Sequence, residues 1–300
     1  MHRGPGHDLV MTTSSRRTVL TAALAAAAGS TGLAAVPTTA HAAPAATAGN
    51  PPAPTYTSHI YRNPQYTEGT DYGRRFRRHE RSDPTFAAEV RLPGTAVLAL
   101  HGGGIETGTS EVALGIAGYH PKDLAPTGAA GDPRYDYWLF EGLRGPGLNA
   151  ELHVTSTGCD DLHALGLAEG SLGVVSVHGF ANTQVPGYDV VLGGLDQDFK
   201  ALVRQQLELL ATAGPDPWNI SIIDGSQVPA LGGTDPDNPC NRTLRNKGVQ
   251  LELSGALRNS LFDDPSSRTG RANTTNAKFR AFTGAVRAAI ALHEASLTVD

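Results

Sequence analysis

The chain has 300 residues, 40% of them hydrophobic and 18% charged, with a formal net charge of −5. That is enough apolar chain for a sizeable core, but it lacks the basic face with which a general nucleic-acid binder neutralises phosphates. Two cysteines rule out a disulfide scaffold, and neither sits in a CxxC pair of the kind that binds structural zinc.

In chain order, the first element is an address. Arg16-Arg17 precedes an uncharged run from Val19 to about Ala35, which ends near the small-residue pattern Ala40-His41-Ala42. A paired arginine ahead of a mildly apolar segment reads as a Tat-type signal over residues 1–42. The alternative, an uncleaved anchor, fits poorly with an alanine-rich run followed by a cleavage pattern. The expectation is therefore a secreted protein without stable membrane association after signal cleavage. Taking Arg3, Arg16, Arg17 and Asp8 from the 24 basic and 29 acidic residues leaves 21 and 28, a net charge near −7. Residues 43–55 are Ala/Pro-rich and read as a disordered leader, which leaves 56–300 as a single domain.

Within that domain, Arg74-Arg75-Phe76-Arg77-Arg78 is one dense basic run, read as a solvated strand or loop. Thr95 to Leu100 reads as a buried strand ending at His101-Gly102-Gly103-Gly104. A helix is expected to start near Thr109 or Ser110, with a hydroxyl cap and Glu111 in its first turn. Leu152 to Ser156, Gly173 to Val177 and Gly248 to Leu253 read as further strands. Phe199, Leu202, Val203, Leu207 and Leu210 mark one helical face that stops at Gly214-Pro215, and Phe279, Phe282, Val286 and Ile290 mark a last helix. Such alternation predicts an α/β sandwich with a mainly parallel or mixed sheet. One Cys159–Cys240 disulfide is compatible with an exported chain.

Open α/β sheets bind ligands beyond the carboxyl ends of their strands, and two histidines stand there. His101 follows the Thr95 strand and His178 follows the Gly173 strand, each trailed by glycine. Glu106, across a glycine-rich turn from His101, can fold back to the same point. Two imidazoles and a carboxylate form the ligand set of a hydrolytic zinc with an open position, so one Zn²⁺ is expected on His101, Glu106 and His178. His153 and His163 compete for that role; His153, read as mid-strand, is better placed behind a ligand or against the substrate. HGGG also occurs as an oxyanion loop in esterases, but that chemistry needs a Gly-x-Ser-x-Gly elbow. Around Ser171 the sequence is Glu-Gly-Ser-Leu-Gly, which does not match.

Five segments occur in a telling order: HGGGIETGTSE from His101 to Glu111, LHVTS from Leu152 to Ser156, VSVHG from Val175 to Gly179, Asn241-Arg242, and GVQLELS from Gly248 to Ser254. Together they resemble the poly-γ-glutamate hydrolase family, over nearly the whole of the chain after Tyr56. The resemblance implies a three-layer, zinc carboxypeptidase-like sandwich with a central mixed, mainly parallel sheet. It also implies hydrolysis of γ-linked glutamyl amides, with metal on His101, Glu106 and His178 and general acid–base work on Glu252. Cys159 and Cys240 stand where the family pattern leads one to expect other residues.

An acidic polymer or peptide as substrate would meet an acidic protein, so binding calls for local cations. Arg242, Arg245, Lys247 and Arg258 bracket the Glu252 segment; Arg242, after Asn241, is the first choice for an α-carboxylate, which a guanidinium can clamp bidentately. His153 completes the expected substrate contacts. The protein is expected to act as a monomer.

Overall fold

Seven short runs assemble into one sheet in the computed structural model, which describes residues 53–79, 94–212 and 217–297. The strands are β1 (Tyr72–Arg77), β2 (Thr95–Gly103), β3 (Asp136–Gly142), β4 (Gly173–Phe180), β5 (Val190–Gly193), β6 (Ile222–Asp224) and β7 (Val249–Ser254). The helices are α1 (Thr57–Arg62), α2 (Thr109–Ala117), α3 (Leu162–Glu169), α4 (Gln197–Glu208), α5 (Gly255–Ser260), α6 (Arg268–Asn273) and α7 (Ala277–Ser296). The strand order is β1-β3-β2-β4-β7-β5-β6. Pairing is parallel for β2/β3, β2/β4, β4/β7 and β5/β6, and antiparallel for β1/β3 and β5/β7.

Period-two alternation builds the three layers. On β2, Val97 and Ala99 face a core shared with α2, α4 and α7, while Ala96, Leu98 and Leu100 face a second core under α1 and α3. Helix α2 is buried on every side, wedged between the sheet and α7, which is why its sequence is apolar or small nearly all round. Phe279, Phe282, Val286 and Ile290 of α7 point into the same core, as their spacing predicts. The expected fold class is the one observed.

Local expectations fare unevenly. The segment Leu152 to Ser156 is not a strand: 3-10 turns at Ala150–Leu152 and Ser156–Gly158 leave residues 153–155 as a short irregular link. A true strand, β3, went unread in a stretch of mixed aromatic and acidic residues. Helix α2 does start at Thr109, but its cap is Gly108 with φ +97°, not a hydroxyl; Thr109 Oγ1 turns back to the Glu106 carbonyl at 2.8 Å. The basic run is strand β1, at the sheet edge, and only partly solvated: Arg74 pairs with Glu68 and Asp161, and Arg75 with Glu141. Residues 1–52, with the expected signal and most of the leader, lie outside the described residues, as does the Gly214-Pro215 stop. No helix among the described residues is long and apolar enough to cross a membrane.

The cysteines correct a further expectation. Both are free buried thiols. The Cys240 sulfur is turned to the Gly233 carbonyl, 3.8 Å away, while Cys159 closes a 3-10 turn beneath α1, so each is committed to its own segment. Burial pushes the Cys159 thiol up to about 11 and the Cys240 thiol further still, which leaves neither as a ready thiolate.

Candidate metal centre

The centre forms where β2, β4 and β7 end. Parallel pairing sets His178 directly beside Glu252, with Ser176 beside Gln250 one step back on the same face. By strict alternation from Leu98 and Leu100, His101 would point to the opposite face. A bulge prevents this: the β2/β3 register shifts between Ala99 and Gly102, and the ring of His101 comes round to the His178 side. Gly103, with φ +64°, then turns the chain; a Cβ there would collide with the Gly142 carbonyl. The turn closes with the Glu106 amide donating to the His101 carbonyl at 2.8 Å.

Each ligand candidate is held from behind. His101 Nε2 donates to the Val154 carbonyl at 2.6 Å, and His178 Nε2 lies 2.8 Å from Ser176 Oγ. The Gly179 amide donates to Glu106 Oε2 at 2.8 Å. Both rings therefore present Nδ1 to the centre, 3.1 Å apart, with Glu106 Oε1 2.9 Å from that of His101 and Oε2 3.9 Å from that of His178. Outer-shell bonds of this kind fix tautomer and ring orientation in metal sites.

These separations test what the centre can hold. A carbonyl has no proton to give, so a neutral His101 must carry its proton on Nε2 and a bare electron pair on Nδ1. That pair faces a carboxylate oxygen and a second imidazole. Electron-pair donors packed this closely repel one another unless a proton or a cation lies among them. Nitrogen and carboxylate donors in this number suit zinc.

The electrostatics agree. Burial alone would lower His101, but the Glu106 carboxylate outweighs it and the net shift is upward. His178 is pushed down to about 3, by burial first and then by the charge on His101. Burial would raise Glu106; His101 and His153 overcome it and hold the carboxyl well below its usual range. Glu252 moves the other way, up to about 8, through burial and then the charge of Glu106.

The sequence-predicted residues divide. His101, Glu106, His153, His178 and Glu252 line one cleft, with a cavity of about 530 Å³. Asn241 does not line it: its amide donates to the carbonyls of Gly233 and Asp235 at 2.8 and 2.9 Å and accepts from the Leu195 amide, tying down a loop that forms one wall. The arginines are committed elsewhere. Arg242 pairs with Glu169, and Arg245 with Asp196 at 2.8 Å. Arg258 lies buried behind Gly179, where it donates to the carbonyls of Leu253, Thr107 and Phe180. His163 stacks on Phe76, away from the cleft. Ser171, with its hydroxyl donating to the Leu167 carbonyl, precedes β4 at the end of the sheet opposite the cleft, which leaves an esterase reading without a nucleophile there.

Two residues went unread: Ser176 behind His178, and Gln250, whose Nε2 donates to Glu252 Oε1 at 2.9 Å. Both stand two positions before a site residue on a strand, so the period of two would have found them.

Comparison with known proteins bears on this centre. The family model described as poly-gamma-glutamate hydrolase matches residues 75–285. The SPbeta prophage-derived protein YoqZ of Bacillus subtilis (strain 168) is 34% identical over 183 residues, 61% of this chain and 57% of YoqZ. YndL of the same strain is 35% identical over 187 residues, 62% of this chain and 63% of YndL. The chain thus spans less than two thirds of the length of these two relatives. Among solved structures, a bacteriophage poly-gamma-glutamate hydrolase is 26% identical, with a TM-score of 0.60 over 77% of this chain and 94% of its own. A zinc-free apo form of YndL is 29% identical, with a TM-score of 0.55 over 77% and 92%.

Proposed function

This chain belongs to the poly-γ-glutamate hydrolase family, and from that premise we propose that it is an exported, zinc-dependent hydrolase of γ-glutamyl amide bonds. The observation that carries the reading is the convergence of two imidazole Nδ1 atoms, 3.1 Å apart, on the Glu106 carboxylate. His101, Glu106 and His178 would hold the ion. A zinc ion bound there would supply Lewis acidity, polarising the scissile carbonyl and making a nearby water more acidic.

The chain's own residues supply the rest. Glu252 sits one strand over from His178, buried, with Gln250 holding Oε1 and leaving Oε2 for the substrate side. As carboxylate it takes a proton from the attacking water while oxygen bonds to the amide carbon. As acid it gives that proton to the leaving nitrogen when the C–N bond breaks, yielding a γ-carboxylate and an amine. Burial and the Glu106 charge disfavour the carboxylate form; a cation held by the ligand trio would favour it. Beyond the ligand trio and Glu252, the cleft walls carry Thr155, Ser156, Thr157, Gln184, Thr234 and Asn238, which can donate to the carbonyl and carboxylate oxygens of a γ-linked chain, together with the acidic Asp235.

Walls without a free cation among the described residues also favour a second reading of the substrate. With Arg242 and Arg245 paired outside the cleft, a γ-amide in a cell-wall peptide, with fewer free carboxylates than the polymer, fits the lining well. Mass spectrometry of products from poly-γ-glutamate and from γ-glutamyl peptides separates the two. Hydrolysis should stop in excess chelator and return with zinc; full activity in chelator would sink the metal reading.

A further inference from the structure

We propose that His153 is a fourth, displaceable ligand of the ion, an inference that rests on the zinc reading above. His153 Nε2 lies 3.3 Å from Glu106 Oε1, the same oxygen that faces His101 Nδ1 at 2.9 Å. Donor atoms of His101, Glu106 and His153 all fall within 4.8 Å of one another. One carboxylate oxygen within reach of two imidazole nitrogens is an arrangement of donors suited to a shared cation, and His178 Nδ1 lies 3.1 Å from His101 Nδ1 and 3.9 Å from Glu106 Oε2.

His153 is built differently from the other two histidines. They stand on buried strand ends with their outer nitrogens fixed. His153 follows a 3-10 turn, its side chain is 44% exposed, and no hydrogen bond among the described residues holds its second ring nitrogen. Its ring stacks on that of His101 at 4.0 Å. Adjacent Val154 anchors His101 through its carbonyl, so the backbone of this link is pinned while the His153 side chain keeps its freedom. A catalytic zinc needs a position that substrate or water can take. A ligand on an exposed loop side chain can complete the shell at rest and give up its place when the γ-amide arrives, without disturbing the three fixed donors.

Zinc affinity, measured by competition with a chromophoric chelator, tests the ligand. His153→Ala and His153→Phe should both bind zinc about 10- to 100-fold more weakly than wild type, the range seen when partners of a metal site are lost. His153→Phe keeps a ring on His101 but has no donor atom, so wild-type affinity in this variant would assign His153 to stacking and overturn the proposal. Cobalt in place of zinc gives a readout independent of turnover, since visible absorption follows the donor set. The cobalt spectra of both variants should differ from wild type. Adding a γ-glutamyl oligomer to cobalt-loaded Glu252→Gln protein should move its spectrum towards that of His153→Ala; no movement would show a fixed ligand and overturn displacement. If wild type binds neither metal, the zinc reading itself fails, and the two failures are thereby distinguished.

Discussion

Two clusters of buried ionisable groups in this molecule have opposite construction. At Asp196, the carboxylate is fully buried, caps α4 through the Phe199 amide at 3.2 Å, and meets Arg245 at 2.8 Å, Lys247 at 3.4 Å and His293 at 3.4 Å. Every lone pair there has a proton or positive charge supplied by the protein. At the carboxyl ends of β2 and β4, by contrast, His101 Nδ1, His178 Nδ1 and the Glu106 carboxylate crowd together, while His101 directs its Nε2 proton outward to the Val154 carbonyl. Burying charge is tolerable when it is paired and hydrogen-bonded. The first cluster meets that condition with its own fixed cations and is architecture; the second needs an added proton or cation among its donors, which marks it as the candidate site.

Glu252→Gln tests the site most severely. It should lower kcat by about 10²- to 10⁴-fold, the contribution of a positioned acid–base group, while zinc content stays at wild-type level. Near-normal turnover would remove Glu252 from the reaction. On the architectural side, Asp196→Ala strands Arg245 and Lys247 beside a buried vacancy. A loss of about 3–5 kcal/mol in urea unfolding is expected, with zinc binding unchanged; a loss under about 1 kcal/mol would erase the contrast between the clusters.

Acid gives a milder test of the same carboxylate. Burial would raise Asp196, but His293, the Phe199 amide and Arg245 outweigh it and hold the carboxyl well below its usual range. Its folded pKa is thus depressed below the unfolded value of about 3.9. The stability it contributes is complete above that value and is lost as pH falls through the folded pKa. Urea midpoints should drop from about pH 4 downward in wild type, and less steeply in Asp196→Asn. The smallest effect belongs to Arg242→Ala, which breaks an exposed pair with Glu169. Stability should change by about 0–1 kcal/mol and KM by less than about twofold; a tenfold rise in KM would return Arg242 to the substrate.

Legibility in the sequence followed the physical range of each signal. His101 and His178 could be placed because each follows an apolar strand, and strand ends in such sheets are where ligands bind; Glu252 came only with the family resemblance. His153 was misplaced by a local pattern: LHVTS has the alternation of a strand, but the chain there is claimed by two 3-10 turns and by the bond from His101 to the Val154 carbonyl. The arginines misled for another reason. Proximity in sequence to Glu252 says nothing of the partner a long cation finds, and Asp196, Glu169 and the carbonyls of Thr107 and Phe180 lie far from it along the chain.

The zinc-type donor set is legible in the sequence, where residue types with glycine-rich turns at strand ends are enough for it. The α/β class followed from hydrophobic periodicity, because alternation is a short-range property of the chain. Tertiary structure alone decided that His101 faces His178, since the bulge between Ala99 and Gly102 reverses the side that alternation assigns. It also decided that both rings offer Nδ1, because the groups that hold their outer nitrogens, Val154 and Ser176, are chosen by packing. Composition and local pattern determine which groups a chain brings to its strand ends. Register, bulges and the competition for partners determine which of their atoms meet.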